Sequence, residues 1–336
     1  MAVPCHNRRV SWRLALALVT ACGSAATPPA QPPEPTPGPE VPAATLPARV
    51  DLAVPTAPTS LVVLGGALYW TDSFGAIWTM RADGSTRARQ LSDGQNPNFA
   101  FHVFRAGERV FATSRKDLLR VDADGSVHAL ALKLPELPEE SVGDASSLYI
   151  TLFKRPEVLR IGAADLKRAT LATVPRGVLG LHGDTLYVAS YSAGTLVAVP
   201  TRGGAARTIA TGLPRPTAVA ADAEAAYVYS ERERNVRRID LASGAATVIA
   251  RDLDNSDDLV SDGPQLWTIS WGREPGLVHI YKDGSRPATR LASDLRRPTK
   301  VTVDEQAIYV SSRDDRRILR IARGATPELT ATSSYK

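Results

Sequence analysis

The chain has 336 residues, of which 43% are apolar and 22% are charged. A chain of this length and composition buries roughly three quarters of the surface that it exposes when unfolded, which excludes wholesale disorder. Its 40 Lys and Arg are interspersed with 35 Asp and Glu, with no long basic run to neutralise a phosphate backbone, so we expect no nucleic-acid partner. The two cysteines, Cys5 and Cys22, both lie near the N-terminus and leave the main body without a disulfide framework or a cysteine metal site.

Residues 1–21 have the three parts of a secretory signal peptide. A basic segment comes first, and the apolar run that follows over residues 14–19 is too short to span a bilayer as a permanent helix. At the end of this run, Val19-Thr20-Ala21-Cys22 resembles the bacterial lipobox, whose cysteine becomes the lipidated first residue of the mature protein. The resemblance implies a lipoprotein signal peptide over residues 1–21 and lipidation of Cys22.

The residues after Cys22 bear on the location of the protein. In lipoproteins these residues influence sorting between membranes. An Asp here would resemble an inner-membrane retention signal, but the residues present are Gly23 and Ser24. We therefore expect a lipid-anchored protein of the bacterial cell envelope, in the outer membrane, with the periplasmic or surface side left open. The alternative is an ordinary secreted protein that is cut after an Ala and carries Cys22 as an incidental thiol.

Residues 22–47 are predicted to form a Pro-rich disordered tether. From Thr27 to Pro47 nearly every second residue is Pro, with Ala, Thr and Glu between. This composition cannot bury a core and favours polyproline II. At about 3.1 Å per residue, the stretch from Gly23 to Arg49 extends up to roughly 80 Å. A Pro-rich ligand for a recognition domain is the alternative.

A repeat runs through the rest of the chain, from residue 48 to residue 336. Each copy has an aromatic residue that follows an apolar residue or Ala and leads into a short Ser- or Thr-containing strand. These aromatic markers recur at intervals of 38 to 42 residues and are Tyr69, Phe111, Tyr149, Tyr187, Tyr227, Trp267 and Tyr309. A second apolar series keeps step with them at intervals of 38 to 41 residues and consists of Met80, Val121, Ile161, Val199, Ile239, Ile280 and Ile321. Two markers in phase over seven copies indicate a repeat architecture.

Each copy is predicted to form four short strands. In the fifth copy these are residues 216–221, the segment around the aromatic marker, residues 236–240 and residues 246–250. Turn dipeptides between strands three and four, where a positive φ is needed, are Asp83-Gly84, Asp124-Gly125, Ser243-Gly244 and Asp283-Gly284. Alternating β-branched strands contradict the 3.6-residue period of helical repeats. The pattern therefore predicts an all-β chain, a seven-bladed β-propeller with four-stranded blades over residues 48–336.

Two segments compete to close the ring. Residues 48–54, before the first repeat, and residues 328–332, near the C-terminus, both have the pattern of a fourth strand. One of them is expected to complete the last blade and remove an exposed edge. The sequence alone leaves the choice open.

The tetrapeptide Tyr69-Trp70-Thr71-Asp72 resembles the YWTD repeat of low-density-lipoprotein-receptor-type propellers. The general pattern is also similar to NHL-type propellers, and as architecture the resemblance covers residues 48–333. Those families mostly bind proteins, peptides or small ligands at one face of the disc. The resemblance therefore implies a binding face, although propellers also host enzymes.

The two faces of the predicted disc differ in their loops. Loops from strand two to three and from strand four to the next inner strand share one face, where they are longer and more varied, and such loops usually carry binding. Four residues beyond each aromatic marker lies a residue of this face, and the set is Ser73, Arg115, Phe153, Tyr191, Glu231, Trp271 and Arg313. Aromatics, arginines and an acid at equivalent positions suit a ligand-binding rim. The alternative is a set of exposed loop residues that partly cover their neighbours.

A second predicted set lies at the mouth of the channel. Nine residues before each marker stand Ser60, His102, Glu140, Val178, Ala218, Asp258 and Lys300. Further side chains that carry oxygen atoms able to bind a cation lie nearby, and they are Glu139, Asp252, Asp254, Asn255 and Asp257. Ligands of this type hold hard cations, so the sequence leaves Ca²⁺ open as a cofactor, with solvated loop charge as the alternative.

Catalysis has less support in the sequence than binding. Of the five histidines, His102 alone is aimed at the channel, and the sequence has no Gly-x-Ser-x-Gly elbow and no His/Cys metal spacing. The leading hypothesis is a lipid-anchored propeller that binds an envelope protein, peptide or glycan at its loop-rich face, or scaffolds an envelope assembly. The alternative is a hydrolase or lyase, lactonase-like, with His102, Glu140, Asp258 and Lys300 as members of a site at the channel mouth.

Overall fold

The computed structural model describes residues 49–95 and 100–323, and the regular structure of these residues is β-strand with no α-helix. Strand β1 (Arg49–Ala53) comes before seven groups of strands, numbered here as blades 1 to 7 in chain order. Blade 1 contains β2 (Pro58–Leu64), β3 (Ala67–Asp72), β4 (Ile77–Arg81) and β5 (Arg89–Gln90). Blade 2 contains β6 (His102–Ala106), β7 (Arg109–Thr113), β8 (Asp117–Val121) and β9 (Val127–Lys133). Blade 3 contains β10 (Pro138–Gly143), β11 (Ser147–Leu152), β12 (Glu157–Gly162) and β13 (Arg168–Thr173).

The remaining blades follow the same order. Blade 4 contains β14 (Val178–His182), β15 (Thr185–Ser190), β16 (Thr195–Pro200) and β17 (Arg207–Ala210). Blade 5 contains β18 (Pro216–Ala221), β19 (Ala225–Ser230), β20 (Asn235–Asp240) and β21 (Ala246–Ala250). Blade 6 contains β22 (Leu259–Asp262), β23 (Gln265–Ser270), β24 (Gly276–Tyr281) and β25 (Thr289–Ala292). Blade 7 contains β26 (Pro298–Val303), β27 (Ala307–Ser312) and β28 (Arg317–Ala322), and β1 completes it.

The ring closes through the first strand. Strand β1 pairs antiparallel with β28, from Arg49 opposite Ile321 to Ala53 opposite Arg317. The inner strands contact one another in sequence around the ring, and β26 contacts β2. The predicted seven-bladed propeller is therefore confirmed, and of the two competing closing segments the N-terminal one completes blade 7. Residues 328–332 lie outside the described residues.

The hydrophobic core lies between the blades. Each pair of neighbouring blades in the described part encloses one cluster of buried side chains, which gives seven clusters around the ring. Between blades 7 and 1, for example, Trp70 packs with Tyr309 and Ile318, and Leu52 of β1 joins the same cluster. Because each sheet buries both of its faces against its neighbours, the axis of the ring is left for a channel.

The aromatic markers occupy one position of the fold. All seven lie in the second strand of a blade, and the second apolar series lies in the third strands, as predicted. In four blades the aromatic side chain donates a hydrogen bond to an Asp five residues earlier, in the turn between strands one and two. These pairs are Tyr149–Asp144 (2.6 Å), Tyr227–Asp222 (2.8 Å), Trp267–Asp262 (3.2 Å) and Tyr309–Asp304 (3.2 Å).

The turns between strands three and four also follow the sequence. Gly84, Gly125, Gly244 and Gly284 have φ values of 80°, 87°, 74° and 68°. The Asp before three of these glycines accepts a hydrogen bond from the backbone N–H two residues further on, at 2.8 to 2.9 Å. A side chain that fixes the turn and a glycine that tolerates the left-handed region explain the dipeptides.

Asp222 is expected to make the stability of blade 5 depend on pH. Burial alone would raise its pKa, but Lys282, the N–H of Ala225 and the hydroxyl of Tyr227 outweigh burial and hold the pKa of Asp222 at about 2. A carboxyl whose pKa falls on folding stabilises the protein above its unfolded pKa, and this contribution is lost as the pH falls through the folded value. We expect Asp222→Asn to lower the free energy of unfolding by about 2 kcal/mol at pH 7.

The measurement is chemical denaturation of both proteins between pH 7 and pH 2. The difference in the free energy of unfolding between the two proteins should shrink as the pH falls from about 4 to about 2. The matched control is Asp184→Asn, in the corresponding turn of blade 4, where the side chain is 72% exposed and removal should change little. A difference that stays constant over the whole range would contradict the assignment.

The N-terminal predictions fall on residues 1–48. The signal peptide, the lipidation of Cys22 and the tether therefore lie outside the described residues and stay predictions. None of the described residues belongs to a helix with the length and apolar character needed to cross a bilayer.

Candidate functional site

The strand order places two kinds of connection on opposite faces of the disc. The loop face comprises residues 54–57, 73–76, 91–95, 100–101, 114–116, 134–137, 153–156, 174–177, 191–194, 211–215, 231–234, 251–258, 271–275, 293–297 and 313–316. The opposite face, called the tight-turn face, carries the turns between strands one and two and between strands three and four.

The predicted rim residues occupy equivalent positions on the loop face. In five blades the rim residue donates its backbone N–H to the carbonyl of a residue 16 positions earlier, at 2.9 to 3.2 Å. These pairs are Ser73–Ala57, Phe153–Leu137, Glu231–Arg215, Trp271–Asn255 and Arg313–Arg297. The bond ties each loop between strands two and three to the connection that enters the same blade. The loops are thus held as a rigid rim rather than as free tips.

Exposure differs around this rim. Arg115, Phe153 and Tyr191 are exposed, whereas Glu231, Trp271 and Arg313 are half-buried. Phe153 and Tyr191 each carry an arginine of the next connecting loop over the ring, at 4.7 Å from guanidinium carbon to ring centroid. These arginines, Arg176 and Arg215, also form ion pairs with Glu139 (2.9 Å) and Glu231 (3.3 Å). Each guanidinium covers one face of its ring and leaves the other side available.

Sequence reasoning did not single out Arg176 and Arg215. Each follows a proline directly before an inner strand, and the two lie 39 residues apart in consecutive repeats. Arg176 lies 11 residues before Tyr187 and Arg215 lies 12 residues before Tyr227, so the recurring Pro-Arg pair, and not an identical phase, was the available signal.

Exposed apolar side chains concentrate on the loop face. Among the described residues six large apolar side chains are exposed, and five of them lie on this face. They come from blades 1 to 4 and the loops between them, form what we call the apolar arc, and are Phe74 (73% exposed), Phe101 (39%), Leu137 (38%), Phe153 (49%) and Tyr191 (38%). The sixth is Val50 of β1. A face that gathers exposed apolar side chains is a candidate interaction site.

Basic side chains accompany the apolar arc. Lys116, Lys154 and Arg155 lie on the loops of blades 2 and 3, near Glu136. A hydrogen bond from the N–H of Leu137, followed by the charges of these three residues, lowers the pKa of Glu136. Three cations stand beside two carboxylates, Glu136 and Glu157, which lies 3.8 Å from Arg155, and leave this part of the loop face positive.

The channel contains a cavity of about 630 Å³ that is lined by all seven inner strands. It brings together the four ionisable members of the predicted channel set, His102, Glu140, Asp258 and Lys300, which come from four different blades. Trp271 and Arg313 of the predicted rim also line it, whereas Arg115, Phe153, Tyr191 and Glu231 do not. The rim and channel predictions therefore meet only on blades 6 and 7.

An ion pair joins blades 6 and 7 inside the cavity. Lys300 Nζ lies 2.9 Å from Asp258 Oδ1, and Asp258 Oδ2 accepts the backbone N–H of Val301 at 2.7 Å. Burial alone would lower the pKa of Lys300, but the charges of Asp258 and Glu140 outweigh it and raise that pKa. Lys300 is therefore a fixed cation that neutralises Asp258.

His102 faces the same cavity in its neutral form. Burial lowers the pKa of His102, Glu140 opposes this shift, and Lys300 adds to it. Within the described residues its ring forms no hydrogen bond, so a neutral imidazole is free to bond a ligand. No Ser or Thr hydroxyl of the described lining is hydrogen-bonded to it, and the hydrolase or lyase alternative stays a prediction.

The carboxylates near the channel are mostly engaged with protein partners. Asp254 is buried, pairs with Arg234 at 2.7 Å and accepts the N–H of Glu274 at 2.8 Å. Among residues 49–95 and 100–323, no group of three or more His, Cys, Asp or Glu side chains is arranged to hold a metal ion. The calcium hypothesis remains a prediction.

Comparison with known proteins identifies the fold and no family. No protein-family model matches the sequence, and comparison with curated proteins gives no match. A catalytically inactive variant of virginiamycin B lyase from Staphylococcus aureus, solved with quinupristin, has a TM-score of 0.69 and 15% identity over 82% of this chain and 99% of its own. YCF48 from Cyanidioschyzon merolae has a TM-score of 0.64 and 12% identity over 82% of this chain and 99% of its own. At these identities the similarity shows the architecture alone. The chain is a seven-bladed β-propeller.

Proposed function

We propose that this protein is a lipid-anchored propeller of the bacterial cell envelope that binds a protein or peptide partner on its loop face. The observation that carries the proposal is the apolar arc, which gathers five of the six exposed large apolar side chains of the described residues on one face. Desolvated aromatic side chains on a rigid scaffold are typical centres of protein interfaces. The rim hydrogen bonds supply that rigidity.

The chemistry of the arc favours an acidic partner with apolar side chains. Lys116, Lys154 and Arg155 make this part of the face positive, and complementary charge steers a partner of opposite sign. A glycan is favoured less, because arginines already cover one face of the Phe153 and Tyr191 rings on which a sugar would stack. A protein segment with Asp or Glu beside Leu or an aromatic residue fits both features.

The test combines identification of a partner with variants of the arc. Immobilised protein captures candidates from an envelope extract, and the affinity of each purified candidate is then measured. We expect Phe74→Ser and Phe153→Ser each to weaken binding about tenfold or more. Since both side chains are exposed, melting temperatures should change by no more than about 2 °C.

A matched control separates the arc from general surface effects. Val50→Ser removes an apolar side chain of similar exposure (41%) from β1, away from the loop face, and should leave affinity unchanged. Lys116→Glu together with Lys154→Glu should slow association and weaken its dependence on salt. Equal affinity of the protein and its Phe74 and Phe153 variants would refute the docking face. Capture of a glycan alone would refute the class of partner.

A further inference from the structure

We infer that the channel mouth binds a small organic anion, a carboxylate or a phosphate ester, between Arg297 and Arg313 of blade 7. Both residues line the cavity, and the backbone N–H of Arg313 donates to the carbonyl of Arg297 at 3.1 Å. The two side chains therefore start from adjacent points of the mouth. Within the described residues neither guanidinium forms an ion pair or a side-chain hydrogen bond.

Two neighbouring arginines do find carboxylate partners. Arg296 pairs with Asp315 at 2.8 Å, and Arg317 pairs with Asp294 at 2.8 Å. Asp294 and Asp315 are thus engaged by arginines that do not line the cavity. Two arginines whose backbones are hydrogen-bonded to each other and whose side chains lack a counter-ion can both bond one anion.

The backbone of Arg297 is held in a conformation that a free loop would leave. Its φ is 55°, in the left-handed region, and Pro298 follows it. Arg215, which stands before Pro216 in blade 5, has a φ of 53°, so this backbone geometry recurs in the repeat. The bond to Arg313 helps to fix this geometry and keeps Arg297 at the cavity.

Trp271 supplies an apolar wall beside the two arginines. It lines the cavity, is half-buried, and its backbone N–H donates to the carbonyl of Asn255 at 2.9 Å. An indole at this place offers a flat surface at little cost in side-chain entropy. The anion that fits should therefore carry a ring or another flat apolar group. A cavity of about 630 Å³ has the volume for such a ligand.

Of the three described carboxylates that line the cavity, one is neutralised by a lysine. Asp258 pairs with Lys300 at 2.9 Å, and burial raises the pKa of Asp257, which favours its uncharged form. Glu140 belongs to blade 3, which lies across the ring from blades 6 and 7. Among the described residues that line the cavity, three arginines form no ion pair: Arg297 and Arg313 at this mouth, and Arg105 in β6 of blade 2.

Calorimetric titration of the purified protein tests the site with four probes: phenyl phosphate, benzoate, inorganic phosphate and benzyl alcohol. We expect at least one aromatic anion to bind more tightly than the neutral alcohol. Arg297→Gln and Arg313→Gln should each weaken it about tenfold. Trp271→Leu should weaken the aromatic anion and leave inorganic phosphate unchanged. Tighter binding of benzoate would indicate a carboxylate ligand, and tighter binding of phenyl phosphate would indicate a phosphate ester.

Arg316→Gln is the matched control. Arg316 is exposed on the same loop, has a φ of 50°, forms no ion pair among the described residues and does not line the cavity. Its loss should leave binding unchanged. If Arg297→Gln does not fold, Arg313→Gln decides alone, since its backbone is unstrained. Equal affinity of the protein and the arginine variants, or no heat with any anion at millimolar concentration, would overturn the inference. The site lies apart from the apolar arc on blades 1 to 4, so this outcome leaves the proposed docking face untouched.

Discussion

A chain that begins at Val54 is expected to melt at least about 10 °C below a chain that begins at Ala48. The two differ essentially by strand β1, which supplies the fourth strand of blade 7. Without it, β28 becomes an open edge and the ring is no longer complete. The comparison is a direct one, because both chains lack the same upstream residues.

Three contacts of β1 account for the size of this effect. Leu52 is 5% exposed and joins the cluster between blades 7 and 1, and loss of a buried leucine side chain costs about 2–5 kcal/mol. Arg49 pairs with Asp294 at 2.5 Å, and Asp51 pairs with Arg317 at 3.0 Å. Removal of the strand opens the cluster and leaves Arg317, whose side chain is 18% exposed, with fewer partners.

A point variant keeps the prediction testable if the shorter chain does not fold. Leu52→Ala retains the backbone pairing of β1 and should lower the free energy of unfolding by about 2–5 kcal/mol. Thermal unfolding followed by circular dichroism measures both effects. Equal melting temperatures for the chains that begin at residues 48 and 54 would show that another segment, such as residues 328–332, completes blade 7.

The blade count could be predicted from the sequence because each blade repeats the same local contacts. The aromatic markers recur because their side chains meet an Asp of the preceding turn in several blades, as in Tyr227 and Asp222. Ring closure could not be predicted in this way. Residues 48–54 and 328–332 have the same local pattern, and which of them pairs with β28 depends on contacts between the two ends of the chain.

The sequence predicted where the candidate site lies better than it predicted which residues compose it. Counting from the markers located the rim and brought His102, Glu140, Asp258 and Lys300 into one cavity. It did not find Phe74, one position beyond Ser73, because the exposure of a loop side chain depends on how neighbouring loops cover it.

Arg297 was missed for a related reason. Sequence spacing does not show which arginines find a carboxylate. Arg296, the residue before it, pairs with Asp315, while Arg297 lines the cavity without a partner among the described residues. Ion-pair partners are set by tertiary packing, so the electrostatics of this face could be read only from the structure.

The point where the chain enters the propeller bears on the proposed anchor. Strand β1 begins at Arg49, opposite Ile321, and β28 reaches Ile321 near its end on the tight-turn face. The polypeptide upstream of Arg49 thus joins the propeller on the face opposite the apolar arc.

Cys22→Ala is expected to remove the protein from the membrane fraction and leave its affinity for a loop-face partner unchanged. In the proposed lipoprotein the acyl chains are attached at this one residue, and stable anchoring by lipid requires more than one chain or signal. The measurements are incorporation of labelled palmitate, the distribution between membrane and soluble fractions, and partner affinity. Cys5→Ala is the matched control, since it removes the other cysteine of the chain and should leave labelling and fractionation intact. Unchanged membrane fractionation of Cys22→Ala would refute the tether, and a soluble, unlabelled protein with Cys22 in place would favour ordinary secretion instead.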